Sequence, residues 1–285
     1  DSTADTLFEW EEKPGDLGGG KILSKIKGKH VLVLCAGSSV SRYKDKIEEF
    51  IKNNKVIIVG CNNVSRVFVP DFHIWGGSYR WHKYGKFVNK KSVMVFVKGF
   101  PPHRIRKHWQ GPYITFRCIS NRWNMGSHDP NSRVFKKCKI YHKRNTMYGC
   151  FYEIGSRAIL WSYMQGASKV SVVGMDGYTF YSKKDLDSKE VSQHCFKMGN
   201  TDNFNYLYLR RCDWDKYKNL KLLNKYCKKT FGSTFEIITP TIYEKFYNYN
   251  ILKIEPDPKF QKWKKPSPSE YKLLYKAKKG KVLKK

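Results

Sequence analysis

Acidic side chains are scarce in this sequence: 24 aspartates and glutamates stand against 55 lysines and arginines, a formal charge of +31. The imbalance predicts an anionic partner, whether nucleic acid, anionic lipid or phosphorylated substrate, without choosing among them. A composition rich in lysine, asparagine and tyrosine is also what an AT-rich genome encodes, so the charge alone fixes no function. No dense set of paired carboxylates of the kind that holds Mg²⁺ occurs. Eight cysteines are scattered with no CxxC pair, which argues against a zinc knuckle or a thioredoxin-like site and for small buried hydrophobes in a reducing compartment. His103 and His108 are not at helical ligand spacing, and no metal site is expected. A GxGxxG dinucleotide fingerprint is absent. Neither a run of about 18 apolar residues nor a secretory apolar segment occurs. The expectation is a cytoplasmic chain, at most peripheral on a membrane.

What is present is enough for a core: 285 residues, 40% hydrophobic and 15% aromatic, the size of one large α/β domain or a domain with a small lid. Residues 152–181 organise the rest. Gly155 opens a helix-compatible segment, Gly166 stops it, and Lys169 to Gly174 is a short apolar, β-branched run suited to a buried parallel strand. Met175, Asp176, Gly177 and Tyr178 leave the carboxyl end of that strand, the edge at which open α/β sheets bind ligands. A glycine at a helix start lets a phosphate approach free N–H groups. Alone, the stretch is also an ordinary βα repeat.

A matching half-site lies near the start. The strand at Lys29 to Leu34 runs into Cys35-Ala36-Gly37-Ser38-Ser39, a tight turn of small residues and hydroxyls that lets a nucleotide come close. The strand at Lys55 to Gly60 runs into Cys61-Asn62-Asn63, whose amides either read a base or ribose edge or make a turn. Strands are also expected at 71–75, 92–97 and 234–238, and helices at 41–53, about 203–209 and 220–230. The expected organisation is an N-terminal arm (1–20), a Rossmann-like, mostly parallel α/β domain with helices on both faces (21–257), and a basic tail (258–285). Segments 99–145 and 182–199 are expected as insertions or lids. The tail carries eleven lysines against one glutamate, interleaved with aromatics. It reads either as a solvated appendage or as a contact for anionic membrane or nucleic acid.

These pieces in order resemble the bacterial sialyltransferases of glycosyltransferase family 42 and the related DUF115 group, which includes Maf-type flagellin glycosylation proteins and archaeal hydroxymethylpterin diphosphokinase-like (MptE-like) enzymes. The resemblance covers roughly 29–78 and 146–242. It rests on Ala36-Gly37-Ser38-Ser39, Cys61-Asn62, the run from Gly155 to Asp176, Tyr178, Asn200-Thr201-Asp202 and the Thr239-Pro240 ending. It implies a nucleotide, CMP in the sialyltransferases, in a crevice formed by 36–39, 62–63 and 153–156, Ser156 included. It implies that Tyr178, and more loosely Tyr181, bind the leaving phosphate. The family's general base, a histidine, aligns with Lys197, and His194 lies three residues earlier. Ser38, Val40 and Glu153-Ile154 also depart from the family's pattern.

The function expected is therefore transfer of a sugar, sialic acid-like on the strength of the resemblance, from a nucleotide-activated donor to a glycan or other acceptor hydroxyl. His194 would be the base, Tyr178 would sit at the leaving phosphate, and Asp176 would orient the loop or the acceptor. The CMP-linked donor is favoured and no other cofactor is required. The alternatives are a DUF115-type diphosphotransferase using Mg²⁺, a nucleic-acid-binding protein on a decayed transferase fold, and a transferase that acts on nucleic acid.

Overall fold

The computed structural model describes residues 25–120, 139–151, 153–196, 206–255, 257–261, 266–267 and 269–270. The N-terminal arm, Lys197, the Asn200-Thr201-Asp202 cap and most of the tail lie outside these.

A nine-stranded sheet forms the centre. In chain order its strands are β1 (His30–Leu34), β2 (Ile57–Cys61), β3 (Phe72–Trp75), β4 (Val93–Val97), β5 (Tyr113–Ser120), β6 (Tyr141–Lys143), β7 (Thr146–Gly149), β8 (Lys169–Val173) and β9 (Glu236–Ile237). Across the sheet they run β6-β7-β5-β4-β3-β2-β1-β8-β9. All pairings are parallel except β6 with β7. The mostly parallel, Rossmann-like α/β fold is thus observed.

Strand residues alternate between two cores because successive side chains leave opposite faces. Val31, Val33 and Cys35 point into the larger core, while Leu32 and Leu34 point into the second. Against the larger core lies α5 (Ile154–Met164), with eight of its eleven residues buried, Trp161 and Tyr163 among them. It is covered in turn by α7 (Tyr206–Phe231). Gly166 ends the α5 segment at φ +88°. The second core is closed by α2 (Lys44–Asn54) and the short α8 (Tyr249–Leu252). An aromatic cluster of Trp75, Trp81, Phe96, Phe100 and Trp109 joins α3 (Ser78–Tyr84) and α4 (Pro102–Arg106) to the strands beside them. Two further short helices are α1 (Ser39–Arg42) and α6 (Lys183–Asp187).

Several expectations change. The segment 99–145 is not simply an insertion: it supplies β5 and β6, and β5 pairs in register with β4 from Met94↔Tyr113 to Val97↔Phe116. The two helices expected around 203–209 and 220–230 are one helix of 26 residues. The tail does not begin as an appendage at 258. Phe260 packs on Phe180 at 4.1 Å, and Arg210 pairs with Glu270 at 3.0 Å. Cys150 is disulfide-bonded, whereas Cys35, Cys61, Cys118, Cys195, Cys212 and Cys227 are free.

Gly174, directly after β8, has φ +73°, and a Cβ there would lie 2.4 Å from the carbonyl oxygen of Cys35 and 2.4 Å from Val40. Gly174→Ala combines a left-handed backbone with a main-chain collision. It is expected to cost at least about 2 kcal/mol, read as a lower urea midpoint at unchanged slope.

Candidate functional site

β1 pairs with β2 on one side and with β8 on the other, so the chain leaves the sheet in opposite directions at their carboxyl ends. A crevice opens at such a reversal. Here it holds a cavity of about 220 Å³. Its walls come from the loops after β1 (Cys35–Gly37), β2 (Cys61–Asn63) and β8 (Gly174–Tyr178). Glu153 to Gly155, Lys216, and Gln193 with His194 complete it, with Arg80, Tyr84 and Phe196 at its side.

The loops are held by carboxylates that reach across the gap. Asp176 accepts hydrogen bonds from the Ser39 amide (2.8 Å), from the Ser39 hydroxyl and from the Ser38 hydroxyl (3.3 Å). Burial raises its pKa to about 6, against the pull of these donors and of Lys216, so it is ionised at neutral pH. Gly37 must be glycine here, because a Cβ would sit 2.4 Å from the Gly174 carbonyl and 2.6 Å from the Asp176 carboxylate. Asp213, buried on α7, accepts from the amides of Tyr178 and Thr179, both at 2.8 Å, from the Thr179 hydroxyl at 2.8 Å and from the Tyr243 hydroxyl at 2.9 Å. Burial raises its pKa as well, opposed by these donors and by Lys216.

The loop after β2 is fixed from beneath. Asn62 stands in the left-handed region at φ +51°, and its carbonyl accepts a hydrogen bond from His73 Nε2. A carbonyl can only accept, so His73 carries its proton on Nε2 in the neutral ring. Burial pushes its pKa down to about 4, only partly offset by that bond. Asn63 is 1% exposed. Neither its amide oxygen nor its amide nitrogen has a partner among the described residues, and the Asn62 amide oxygen is likewise unmatched. Buried amides without partners are costly, and these two face the cavity.

Lys216 is the buried cation of the site. It is 8% exposed, lines the cavity and lies 5.8 Å from the centre of the Tyr178 ring and 5.4 Å from that of Tyr243. Burial alone would lower its pKa, but Glu153 above all, with Tyr178, Cys35 and Asp213, raises it. It is an ammonium at any ordinary pH. Glu153 caps α5, accepting from the Ser156 amide at 3.0 Å and from the Ser156 hydroxyl. Tyr178 is pushed up to about 12, by burial first and against Lys216, so it remains a neutral hydroxyl donor. Cys35 hydrogen-bonds Cys61, and burial raises the Cys61 pKa, keeping it a thiol.

Of the residues expected at the site, Gly37, Asn62, Asn63, Gly155, Asp176, Tyr178 and His194 meet around this cavity. His194 Nδ1 lies 3.2 Å from the Ala36 carbonyl and its ring stacks on Phe196 at 5.3 Å. Ser38 and Ser39 turn their hydroxyls to Asp176 instead. Ser156 turns to Glu153 and Asn219. Tyr181 points away, its hydroxyl accepting from Arg42 at 3.2 Å. Asp176 spends its oxygens on the turn, so it orients the loop and is not placed as a base. The helix start at Gly155 is not an empty phosphate seat, because the Glu153 carboxylate caps it. Lys197 lies outside the described residues. Missed from the sequence were Lys216, Arg80 and Gln193, and Glu153, which falls within the expected crevice 153–156, was given no role there. A readable signal existed for Lys216: it falls in helical register with Leu209, Leu220, Leu223 and Cys227, all buried, which makes it a charge on a core stripe.

A second cavity of about 500 Å³ lies by Phe180, Pro240, Tyr247, Ile254 and Phe260, and its charged lining residues are Glu244 and Asp257. Among the described residues no three metal-ligating side chains converge, and no helix is long and apolar enough to cross a membrane. A scan of protein-family models and a search of curated proteins found no match to the sequence.

The buried histidine sets a pH dependence. Its folded pKa of about 4 lies below the ordinary 6.5, so the unfolded chain takes up the proton first. The stability this adds is complete above pH 6.5 and is lost as pH falls toward 4, by about 3 kcal/mol in all. His73→Gln keeps a donor for Asn62 and removes the titration. Its melting temperature is expected to fall less than wild type's between about pH 6.5 and 4.5, and parallel curves would contradict this.

Proposed function

We propose that this chain is a nucleotide-sugar-dependent glycosyltransferase of the kind found in glycosyltransferase family 42 and the DUF115 group, moving a sugar to an acceptor hydroxyl. One observation carries the reading. A cavity at the reversal point of a parallel sheet combines a buried ammonium (Lys216), the unmatched amide of Asn63 and amide oxygen of Asn62, a neutral phenol (Tyr178) and an imidazole (His194). Cation and phenol suit a phosphate, amides suit a ribose or base edge, and an imidazole suits proton transfer. The volume of about 220 Å³ falls below the roughly 300–1,000 Å³ that encloses drug-sized ligands. The cavity would hold the phosphate and one ring, with the remainder in its mouth. A CMP-linked donor is favoured by the resemblance.

The chemistry divides among these side chains. His194 Nδ1 can only donate to the Ala36 carbonyl, which leaves Nε2 as the basic nitrogen of the neutral ring. Nε2 would take the acceptor hydroxyl's proton as that oxygen bonds to the anomeric carbon. The bond from the anomeric carbon to the phosphate oxygen breaks, and its electron pair stays on the phosphate. Lys216 and the Tyr178 hydroxyl meet the charge that develops there. Asp176 and Asp213 touch no reacting atom and position the loop.

The charge of +31 favours an anionic acceptor or surface, either nucleic acid or an acidic membrane. A steep loss of polyanion binding with salt would support it.

The first test is a thermal-shift panel of CMP, UDP, GDP, ATP and their sugars, in which a nucleotide bound to the native state raises the melting temperature. No shift with any of them at millimolar concentration would count against the reading. Once a donor is known, His194→Ala is expected to lower turnover about 10²–10⁴-fold with nucleotide affinity little changed. Full activity in that variant, with loss in Lys197→Ala, would move the role to the lysine.

A further inference from the structure

We propose that Glu153 and Lys216 form an exchangeable anion seat. In the unliganded protein the Glu153 carboxylate occupies the start of α5, and a phosphate group of the ligand displaces it, taking Lys216 and the freed backbone N–H groups together. The proposal deepens the transferase reading by naming the residue pair that selects a phosphorylated ligand.

Three observations converge. The first is the occupant. The Glu153 carboxylate stands where an incoming anion would: one oxygen takes the Ser156 amide at 3.0 Å, and the other lies 2.6 Å from where a Cβ on Gly155 would be. Helix starts favour negative charge whatever its source. A side-chain carboxylate and a phosphate oxygen are therefore alternatives at one place.

The second is the cation. Lys216 is more than nine-tenths buried and lines the same cavity. Among the described residues its ammonium makes no hydrogen bond and has no carboxylate at ion-pair distance. Glu153 is its principal electrostatic partner, but from beyond contact. An ammonium this buried is stabilised best by a charge that touches it, and a phosphate beside it would supply one.

The third is the surroundings. The Asn63 amide, 1% exposed, is unmatched and faces the cavity, and the Tyr178 hydroxyl has no partner among the described residues. A phosphate ester offers acceptors for such donors. Glu153 is held to α5 by Ser156 alone among the described residues, two bonds that a freed side chain can replace with water at the cavity mouth. Lys216, in contrast, is fixed on the interior of α7, and Asn219 one turn further on donates to the Ser156 hydroxyl at 3.2 Å.

The test compares ligands that differ only in the phosphate: CMP against cytidine, with inorganic phosphate as a third probe, titrated into the full chain by calorimetry. Wild type is expected to prefer CMP. Lys216→Met, close in length and without charge, should weaken CMP and phosphate at least about tenfold while cytidine is unchanged. Glu153→Gln keeps an acceptor for the Ser156 amide and removes the competing charge. It should tighten CMP and phosphate by about three- to tenfold and leave cytidine alone. Unchanged phosphate affinity in a folded Lys216→Met, or weaker phosphate binding in Glu153→Gln, overturns the seat, as does wild type that binds neither phosphate nor CMP. If Lys216→Met does not fold, Glu153→Gln decides: an affinity that does not rise overturns the proposal. Phosphate binding governed by both residues, with no preference for any nucleotide over phosphate, would uphold the seat and defeat the transferase reading instead.

Discussion

The contact between Asp176 and the Ser38-Ser39 turn is the constraint on which the cavity depends. It ties the end of β8 to the end of β1, the two strands between which the sheet changes direction. A buried carboxylate is tolerable only if donors surround it, and the turn supplies an amide and two hydroxyls. Thr239 extends the cluster: its hydroxyl accepts from the Gly174 amide at 3.0 Å and lies 3.2 Å from the Ser39 hydroxyl. The carboxyl ends of β1, β8 and β9 are thereby drawn into one polar knot. Gly37 and Gly174 let the backbones approach closely enough for it to form. The hydroxyls of Ser38 and Ser39 are for this reason unavailable to a ligand, and recognition passes to the groups beyond them.

α7 is the second organiser. Its inner face carries Asp213 and Lys216 less than one turn apart, both buried. The aspartate holds the loop that carries Tyr178, and the lysine supplies the charge beside it. Loop and cation therefore share one rigid support. Most of the other basic residues among those described are exposed, where water screens them. The total of +31 says little about the cavity, where Lys216 and Arg80 stand beside the carboxylates of Glu153 and Asp176.

The sheet was legible because its strands are short β-branched runs buried on both faces. Such runs look alike wherever they occur, and β1, β2, β4 and β8 were recognisable on that ground. β5 was not: its run Tyr113–Ser120 includes Thr115 and Arg117 and follows a basic, broken stretch, so local composition pointed to a loop while pairing with β4 made a strand. The glycines at 37 and 155 and the asparagines at 62 and 63 were found because turn chemistry is local. Ser38, Ser39, Ser156 and Tyr181 were expected at a nucleotide and turn to other partners in the structure, because nothing local says toward which partner a side chain turns; the partners of the first three are carboxylates far away in sequence or at a helix start. Lys216 was missed because a lysine in a lysine-rich helix looks solvated unless it is set against the positions of Leu209, Leu220 and Leu223.

The central pairing of β1 with β8 joins Leu32 to Ser171, and the cavity is finished only by Lys216. A growing chain on the ribosome must therefore carry β1 with one open edge until more than half of the sequence has emerged. Non-local parallel pairing is slow, and an unpaired apolar strand edge is a template for association with other chains. The arrangement that places the cavity between the two halves of the chain thus favours rapid completion of nascent chains or the help of chaperones. Expression yield, more than final stability, would be the property most sensitive to changes in β1.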